Sequence, residues 1–291
     1  MSRPATIASR LAIAAAAFGA LIAPPGAAAT ATSTTSSTNW AGYAVTGKTF
    51  KRVSGSWVQP AVDCTSTTRR NAYSASWVGL GGYDTDSTAL EQIGTEADCS
   101  NGTASYSSWY ELVPEAAHDL KLKISAGDSI SASVTVSGHT VRMRLVNNTT
   151  GKSITKTRTT SNLDLSSAEW IQETPSLCNS SATSCSVLPL ADFGSITFAN
   201  ASATTKSGRK GTISDQAWTA TAINLIETGN SVGGHFPGGP RAGVQSTTTT
   251  TGATTGELDS SGAAFTVAYA DDLTVQASRA SRSYALLSSR R

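Results

Sequence analysis

Short segments of alternating polar and apolar residues, separated by turn residues, constrain the fold of this chain most. The clearest example is Ser129–Val136, which is followed by Ser137-Gly138 and then by Val141–Leu145. Alternation with a period of two places successive side chains on opposite faces of a strand, and a short turn containing glycine between two such runs is typical of a hairpin. These two runs therefore predict a β-hairpin.

Similar runs recur along the rest of the chain, and no stretch carries an apolar stripe of helical period. Closely spaced short strands of this kind favour an all-β sandwich. Only Leu163–Trp170 suggests a helical turn, and Gly229–Gly256, which is rich in Gly, Pro and Thr, is predicted to be a long surface loop. The remaining predicted strands are Val53–Val58, Ser74–Leu80, Ser105–Leu112, Ile154–Thr160, Ser195–Ala201, Thr212–Ala220 and Phe265–Ala270.

The first residues have the pattern of a signal peptide. Arg3 and Arg10 precede an apolar run, and the small residues Ala27, Ala28 and Ala29 follow it. The apolar run is shorter than the roughly 20 residues that cross a bilayer. We therefore expect residues 1–29 to be a signal peptide and the mature protein to be secreted, with no membrane association.

The same reading predicts three further parts of the chain. Residues 30–38, rich in Ser and Thr, are expected to be a flexible leader or a short propeptide. Residues 39–276 are expected to form one β-sandwich domain, and residues 277–291 a C-terminal tail. Nothing in the chain indicates an obligate oligomer, so a monomer is expected.

Charge excludes several classes of partner. The chain has 22 basic and 20 acidic residues, and removal of the two arginines of the signal peptide balances them. A nearly neutral chain has no electrostatic reason to bind nucleic acid or an anionic membrane. Charged residues make up only 14% of the chain. Such a chain suffers little self-repulsion when its carboxylates are protonated, which fits an acidic environment.

The four cysteines of an exported chain predict two disulfides, for which three pairings exist. Cys178 and Cys185 are close enough in sequence to close one loop, which leaves Cys64 with Cys99. No metal site or other cofactor is expected, because the chain has no CxxC motif and its histidines lack ligand spacing. The three histidines are His118, His139 and His235.

Two motifs are interpreted as turns rather than as sites. Gly229–Gly233 matches the G-x-S-x-G pattern of a serine nucleophile, and His235 follows closely. That pattern belongs to a strand-to-helix turn of an α/β fold, whereas here it stands in a glycine-rich loop of a β-rich chain. Asp84–Ser87 lacks the downstream Gly and Glu of a calcium loop.

Seven short segments with Trp, Gly or a carboxylate occur in an informative order. They are Asn39–Gly42, Trp77–Gly81, Ala89–Gly94, Tyr106–Glu111, Ala126–Ile130, Ala168–Glu173 and Ala191–Gly194. Taken together, they resemble the glutamic peptidases, also called eqolisins, over nearly the whole mature chain. The resemblance implies a lectin-like (concanavalin A-like) sandwich of two antiparallel sheets, polypeptide substrates, and endopeptidase activity at acidic pH.

The resemblance also implies the catalytic residues. The glutamine of the family falls on Gln92 and its glutamate on Glu173, while Trp77, Glu96 and Glu111 match residues near the active site. A glutamate of ordinary pKa is partly ionised at acidic pH, so it can accept and return the proton of a water molecule. A glutamine amide can donate to the developing oxyanion. Neither a covalent intermediate nor a metal ion is needed.

Some assignments have neighbours that compete with them. Glu169 rivals Glu173, because residues four apart on a strand point to the same face. Glu91 and Gln172 are expected to face the opposite way and to be structural. Gly81 and Ser107 stand where better-known fungal members of the resembled family carry aspartates, Glu96 replaces another aspartate, and Val113 replaces an aromatic residue. These changes affect the expected pH optimum and substrate preference.

Two other functions compete with peptide hydrolysis. Lectin-like sandwiches often hold sugars, and Trp40, Trp77 and Trp109 would suit a carbohydrate-binding module or a glycosidase if they were exposed. A glycosidase needs two carboxyl groups about 5 to 9 Å apart. The second alternative is a non-catalytic surface protein, which the Ser/Thr-rich composition suggests.

Overall fold

The computed structural model describes residues 33–66, 70–178, 185–227 and 249–274. This part of the chain contains strands and no helix, and so nothing in it could cross a bilayer as a helix. The strands are β1 Ser33–Ser37, β2 Trp40–Thr46, β3 Phe50–Val58, β4 Ala75–Gly81, β5 Leu90–Ser100, β6 Thr103–Leu112, β7 His118–Asp119, β8 Ser129–Ser137, β9 Thr140–Asn147, β10 Lys152–Thr159, β11 Ser167–Glu173, β12 Ser176–Cys178, β13 Cys185–Val187, β14 Ser195–Thr205, β15 Lys210–Gly211, β16 Thr219–Ile226, β17 Thr249–Thr255 and β18 Phe265–Thr274.

These strands form two packed layers. The front sheet has the order β18-β17-β16-β2-β11-β4-β5-β6-β7, and the back sheet has the order β10-β9-β8-β3-β14 with β15 beside β14. The first residues of β14 pair with β18 and its later residues with β3, so this strand passes from one sheet to the other. Pairing is antiparallel except between β1 and β16. The predicted all-β sandwich of antiparallel sheets is confirmed.

The core between the sheets follows from the alternation in the sequence. On β3, Val53 and Trp57 are buried, whereas Arg52 and Val58 are exposed. The buried side chains of β8 and β9 face the same interior. Trp170 of β11 crosses this interior, and its indole N–H donates to the backbone oxygen of Ser54 at 2.8 Å. One face of the back sheet is therefore apolar and the other polar.

The central strands of the front sheet differ, because they are buried on both faces. All seven residues of β4 and all seven of β11 are buried, as are the first ten of β5. A second apolar cluster covers the outer side of this sheet. Its members are Trp40, Ala44, Ala75, Trp77, Leu90, Trp109, Val113, Ile171 and Ile223. Polar side chains on either face of these strands are therefore removed from water.

The structure corrects three local predictions. Thr212–Ala220 is not a strand along its length, because Asp215 accepts hydrogen bonds from Arg209 and from the amide of Ala217 and thereby holds a turn. Leu163–Trp170 is not helical, since β11 begins within it and pairs with β2 and β4. The predicted loop at Gly229–Gly256 contains β17, and its residues up to 248, including the G-x-S-x-G motif and His235, lie outside the described residues.

Other predictions hold or remain open. A disulfide joins Cys64 and Cys99, as predicted. Cys185 is also disulfide-bonded, and it lies opposite Cys178 in the register of β12 and β13. Asp84–Ser87 forms a turn, with the Ser87 amide donating to the Asp84 oxygen at 2.9 Å. Residues 33–37 of the expected leader pair with β16, so this part is extended and hydrogen-bonded rather than flexible. The limits of the leader, domain and tail stay predictions.

Replacement of Gly42 by alanine should destabilise the front sheet. Gly42 has a φ of 139°, and a Cβ there would overlap the carbonyl oxygen of Trp170 on the paired strand. Because this neighbour is backbone, it cannot rotate away. We expect the free energy of unfolding to fall by about 3 kcal/mol or more, measured by urea unfolding. The control is Gly138→Ala, at a φ of 58° with no atom within 4 Å, which should cost only about 1 kcal/mol. Equal losses would contradict the steric explanation.

Candidate active site

The predicted catalytic residues lie on the outer face of the front sheet. They stand on β5 and β11, with β4 between these two strands. Gln92 on β5 lies opposite Gly79 on β4, which lies opposite Glu169 on β11. Glu173 lies opposite Ala75, four residues along β4. Because directly paired residues project to the same face, Gln92, Glu169 and Glu173 share the outer face. Gln92 and Glu173 therefore flank β4 from its two sides.

The carboxyl group of Glu173 is held by two N–H donors. The indole nitrogen of Trp77 donates to Oε2 at 2.7 Å, and the side-chain amide of Asn39 donates to Oε1 at 3.3 Å. Trp40 packs against Trp77 edge to face, with ring centroids 5.1 Å apart. Gly94 makes room for the side chain of Trp77, because a Cβ at position 94 would lie 2.6 Å from the Cβ of Trp77. Glu173 itself is buried.

Burial sets the proton affinity of Glu173. Removal from water raises the pKa of its carboxyl group to about 8, while hydrogen bonding from Trp77, Asn39 and Trp40 lowers it and the nearby Glu96 raises it. The sequence-based expectation of a glutamate partly ionised at acidic pH is therefore wrong for this structure. Without a substrate, Glu173 holds its proton at acidic pH, and its conjugate base is stronger than an ordinary carboxylate.

The amide of Gln92 is oriented by Glu111 on the next strand. Its Nε2 donates to Oε2 of Glu111 at 2.6 Å, and both side chains are fully buried. Oε1 of Gln92 has no hydrogen-bond partner among the described residues. Because a buried amide oxygen without a partner costs free energy, this atom is suited to receive a donor from a ligand. The second hydrogen on Nε2 is also available to an acceptor.

The supporting residues lie on the same face but make different contacts. Trp77 contacts Glu173, and Glu111 contacts Gln92. Glu96 is aligned with Ala75 and Glu173 across the sheet, and its Oε2 accepts a hydrogen bond of 2.6 Å from Ser107. Trp77 and Glu96 thus lie at the Glu173 end of the site, and Glu111 lies at the Gln92 end.

The neighbours of the two catalytic residues and the nearby tryptophans are all buried. Glu91 and Gln172 face the space between the sheets, as expected. Gln172 is paired with Ser76, and its Oε1 accepts a hydrogen bond of 2.6 Å from the Ser76 hydroxyl. Glu91 is paired with Leu80, whose side chain lies in the core between the sheets. The carbohydrate alternative required exposed tryptophans, and this condition is not met. The exposed fractions of Trp40, Trp77 and Trp109 are 1%, 0% and 3%.

Asn39 is a site residue that the sequence reasoning missed. It stood in a recognised segment, but no pattern linked it to a glutamate 134 residues away. Its amide also has a local anchor, since Oδ1 of Asn39 accepts a hydrogen bond from Ser37 at 3.0 Å. The polar residue in front of the first tryptophan of that segment was the signal that could have pointed to it.

Comparison with known proteins places this geometry in context. The chain matches the model of the Peptidase A4 family over residues 38–234. This chain belongs to the Peptidase A4 family. Aspergillopepsin-2 of Aspergillus niger is 35% identical over 189 residues, which cover 58% of this chain and 64% of that protein. Scytalidopepsin B of Scytalidium lignicola is 33% identical over 192 residues, which cover 64% of this chain and 70% of that protein.

Solved structures agree with the family assignment. The crystal structure of scytalido-glutamic peptidase with a transition state analogue inhibitor superposes with a TM-score of 0.62 at 28% identity, covering 80% of this chain and 98% of that one. A structure of a member of the eqolisin peptidases in complex with the tripeptide Ala-Ile-His gives a TM-score of 0.57. The resemblance to glutamic peptidases stated from the sequence segments is therefore confirmed.

The buried carboxyl groups predict that this Peptidase A4 member loses stability as pH rises. Burial raises the pKa of Glu91 to about 9 and of Glu173 to about 8, and it raises the pKa of Glu169 as well. All three lie above the unfolded value of 4.5, so the folded state binds more protons. Their stabilising contribution is complete below that value. It is lost between about pH 4.5 and the folded pKa values, at up to about 1.4 kcal/mol per pH unit for each group.

This pH dependence can be measured by urea unfolding between acidic and neutral pH. Glu91→Gln removes one titrating group while keeping its shape, and it should flatten the decline. The control Glu115→Gln changes a half-exposed carboxyl on the surface and should leave the slope unchanged. A wild-type stability that is constant or rises over this range would show that these carboxyl groups are not protonated in the folded protein.

Proposed function

We propose that this protein is a secreted endopeptidase that hydrolyses peptide bonds of polypeptides at acidic pH, with Glu173 and Gln92 as its catalytic residues. The observation that carries the proposal is the placement of a buried, hydrogen-bonded glutamate and an oriented glutamine amide on one face of a Peptidase A4 sandwich. The names of the matched relatives, aspergillopepsin, scytalidopepsin and scytalido-glutamic peptidase, support it.

In the proposed reaction, the ionised form of Glu173 removes a proton from a water molecule while the water oxygen attacks the carbonyl carbon of the substrate. The oxygen of that carbonyl becomes negative, and the free hydrogen on Nε2 of Gln92 donates to it. Glu173 then gives its proton to the amide nitrogen as the carbon–nitrogen bond breaks. Both products leave, and Glu173 returns to its starting state.

Two opposite pH effects should set the working range. The ionised fraction of Glu173 grows with pH towards its pKa of about 8, so the activity of each folded molecule should rise. The stability of the fold should fall over the same range, because its buried carboxyl groups release protons. The amount of folded, ionised enzyme is therefore greatest at an intermediate pH, where the gain in ionised Glu173 is offset by the loss of stability.

The first test is hydrolysis of a denatured protein by the mature wild type and by Glu173→Gln and Gln92→Ala. Loss of the proton carrier should reduce kcat/KM by at least about a hundredfold. Loss of the oxyanion donor should reduce kcat by about a hundredfold to a thousandfold. A metal chelator and a serine-reactive inhibitor should have no effect.

The matched control is Glu169→Gln, on the same strand and the same face as Glu173. It accepts no hydrogen bond from Trp77 or Asn39 among the described residues and should keep most of the activity. If Glu169→Gln is as inactive as Glu173→Gln while both fold, the assignment of the proton carrier is overturned. A folded wild type that cleaves no protein but hydrolyses or binds glycans would favour the carbohydrate alternative instead.

A second test addresses the donor to Glu173. Trp77→Phe removes the indole N–H that stabilises the ionised carboxylate, so the pKa of Glu173 should rise further and its ionised fraction at acidic pH should fall. We expect kcat/KM in the acidic range to fall about tenfold and the pH profile to shift towards higher pH.

Trp109→Phe is the control for this test. Trp109 lies in the same apolar cluster, and its indole nitrogen has no hydrogen-bond partner among the described residues. Its replacement should leave the pH profile in place. Equal shifts in both variants would mean that ring packing, and not the hydrogen bond, sets the pKa of Glu173.

A further inference from the structure

The outer face of the back sheet separates charge in a way that the nearly neutral composition conceals. The sequences of β3, β8, β9, β10, β14 and β15 contain no Asp or Glu. The front sheet, by contrast, carries Glu91, Glu96, Glu111, Glu169 and Glu173. These acidic side chains are buried in the front layer, and the back layer is the cationic one.

Strand register places the outward cations in order. Arg142 on β9 lies opposite Thr135 on β8, which lies opposite Arg52 on β3. Arg52 lies opposite Thr204 on β14, and Thr204 lies opposite Lys210 on β15. Cations and threonines thus alternate along one row. Since neighbouring strands are about 4.8 Å apart, the Cα atoms of successive cations are about 10 Å apart.

The adjacent row adds a cation and hydroxyl groups. Arg144 lies opposite Ser133, Ser133 opposite Ser54, and Ser54 opposite Ser202. A shallow depression of about 400 Å³ lies along this second row, and Arg52 of the first row reaches its edge. It is lined by Arg52, Ser54, Gly55, Ser56, Ser131, Ala132, Ser133, Arg144, Val146 and Asn200. The surface is flat, rich in hydroxyl groups and positively charged.

These cations have no acidic partner in the part of the chain that the structure describes. Arg52 donates only to the hydroxyl of Thr135, at 2.7 Å. Two carboxylates pair with other cations instead, because Asp215 pairs with Arg209 and Glu115 with Arg158. Guanidinium groups held in this way keep most of their N–H donors available for an anion.

We propose that this face, defined by Arg52, Arg142, Arg144 and Lys210, binds a linear acidic polysaccharide and so anchors the protein to a glycan matrix. Hydroxyl side chains suit the hydroxyl groups of sugars, and the arginines suit sulfate or carboxylate groups. The spacing of the cations is close to the length of two sugar units, which matches a polymer with one sulfate group in every second sugar. The phosphates of nucleic acids follow one another much more closely. Among the described residues, no exposed aromatic or long apolar side chain lies between the cations to enter a lipid surface.

The test uses chondroitin sulfate as the probe, at acidic pH and low salt, with neutral dextran and a thymidine oligonucleotide for comparison. Sulfate groups keep their charge at acidic pH, so the probe stays anionic where the peptidase would act. The full mature chain should bind chondroitin sulfate in isothermal titration calorimetry, its affinity should fall as salt is added, and dextran should not bind.

The deciding variants remove equal charge from different places. Arg52→Ser/Arg142→Ser/Lys210→Ser should weaken binding about tenfold or more, while hydrolysis of a soluble protein stays as in wild type. Arg70→Ser/Lys121→Ser/Lys123→Ser removes three exposed cations elsewhere and should leave binding unchanged. Equal weakening by both sets would mean that net charge alone attracts the probe, and the proposal would fail. It would also fail if the oligonucleotide bound more tightly than the glycan or if wild type bound no glycan at low salt.

Discussion

Burial of the central front strands on both faces is the constraint on which the rest of this structure depends. In most antiparallel sheets one face meets water, but here one side of β4, β5 and β11 meets the core between the sheets and the other meets an apolar cluster with three tryptophans. Any polar side chain on these strands is therefore desolvated. It must find a partner within the protein or remain neutral.

The candidate site follows from that constraint. Glu173 finds N–H donors from Trp77 and Asn39, and Gln92 finds a carboxyl acceptor in Glu111. Among the described residues neither oxygen of Glu169 has a hydrogen-bond partner, and burial raises the pKa of its carboxyl group. The same desolvation that strengthens Glu173 as a base thus makes the fold dependent on acidic surroundings. The arginine side chains of β3 and β9, by contrast, lie on the outer face of the back sheet, where they meet water.

Features of the fold and site that depend on residues close together in sequence could mostly be predicted, whereas features that depend on residues far apart in sequence mostly could not. Alternation is local, and it identified Ser129–Val136 and Val141–Leu145 as a hairpin. Motif order identified the family, and it predicted Gln92 and Glu173 as the catalytic residues. The turn at Asp215 was missed, because its side-chain hydrogen bonds override an alternating pattern. The raised pKa of Glu173 was also missed, since it comes from burial by tertiary packing, and the donors that partly offset it are 96 and 134 residues away.

The central claim is that Glu173 is a buried carboxyl group whose proton affinity is raised by desolvation. The most direct measurement is a titration of glutamate side-chain carboxyl signals by NMR in ¹³C-labelled protein, with Glu173→Gln used to assign the signal that disappears. We expect this signal to titrate near pH 8. A signal that titrates near the value of a free glutamate, about 4.3, would show that burial does not raise the pKa of Glu173.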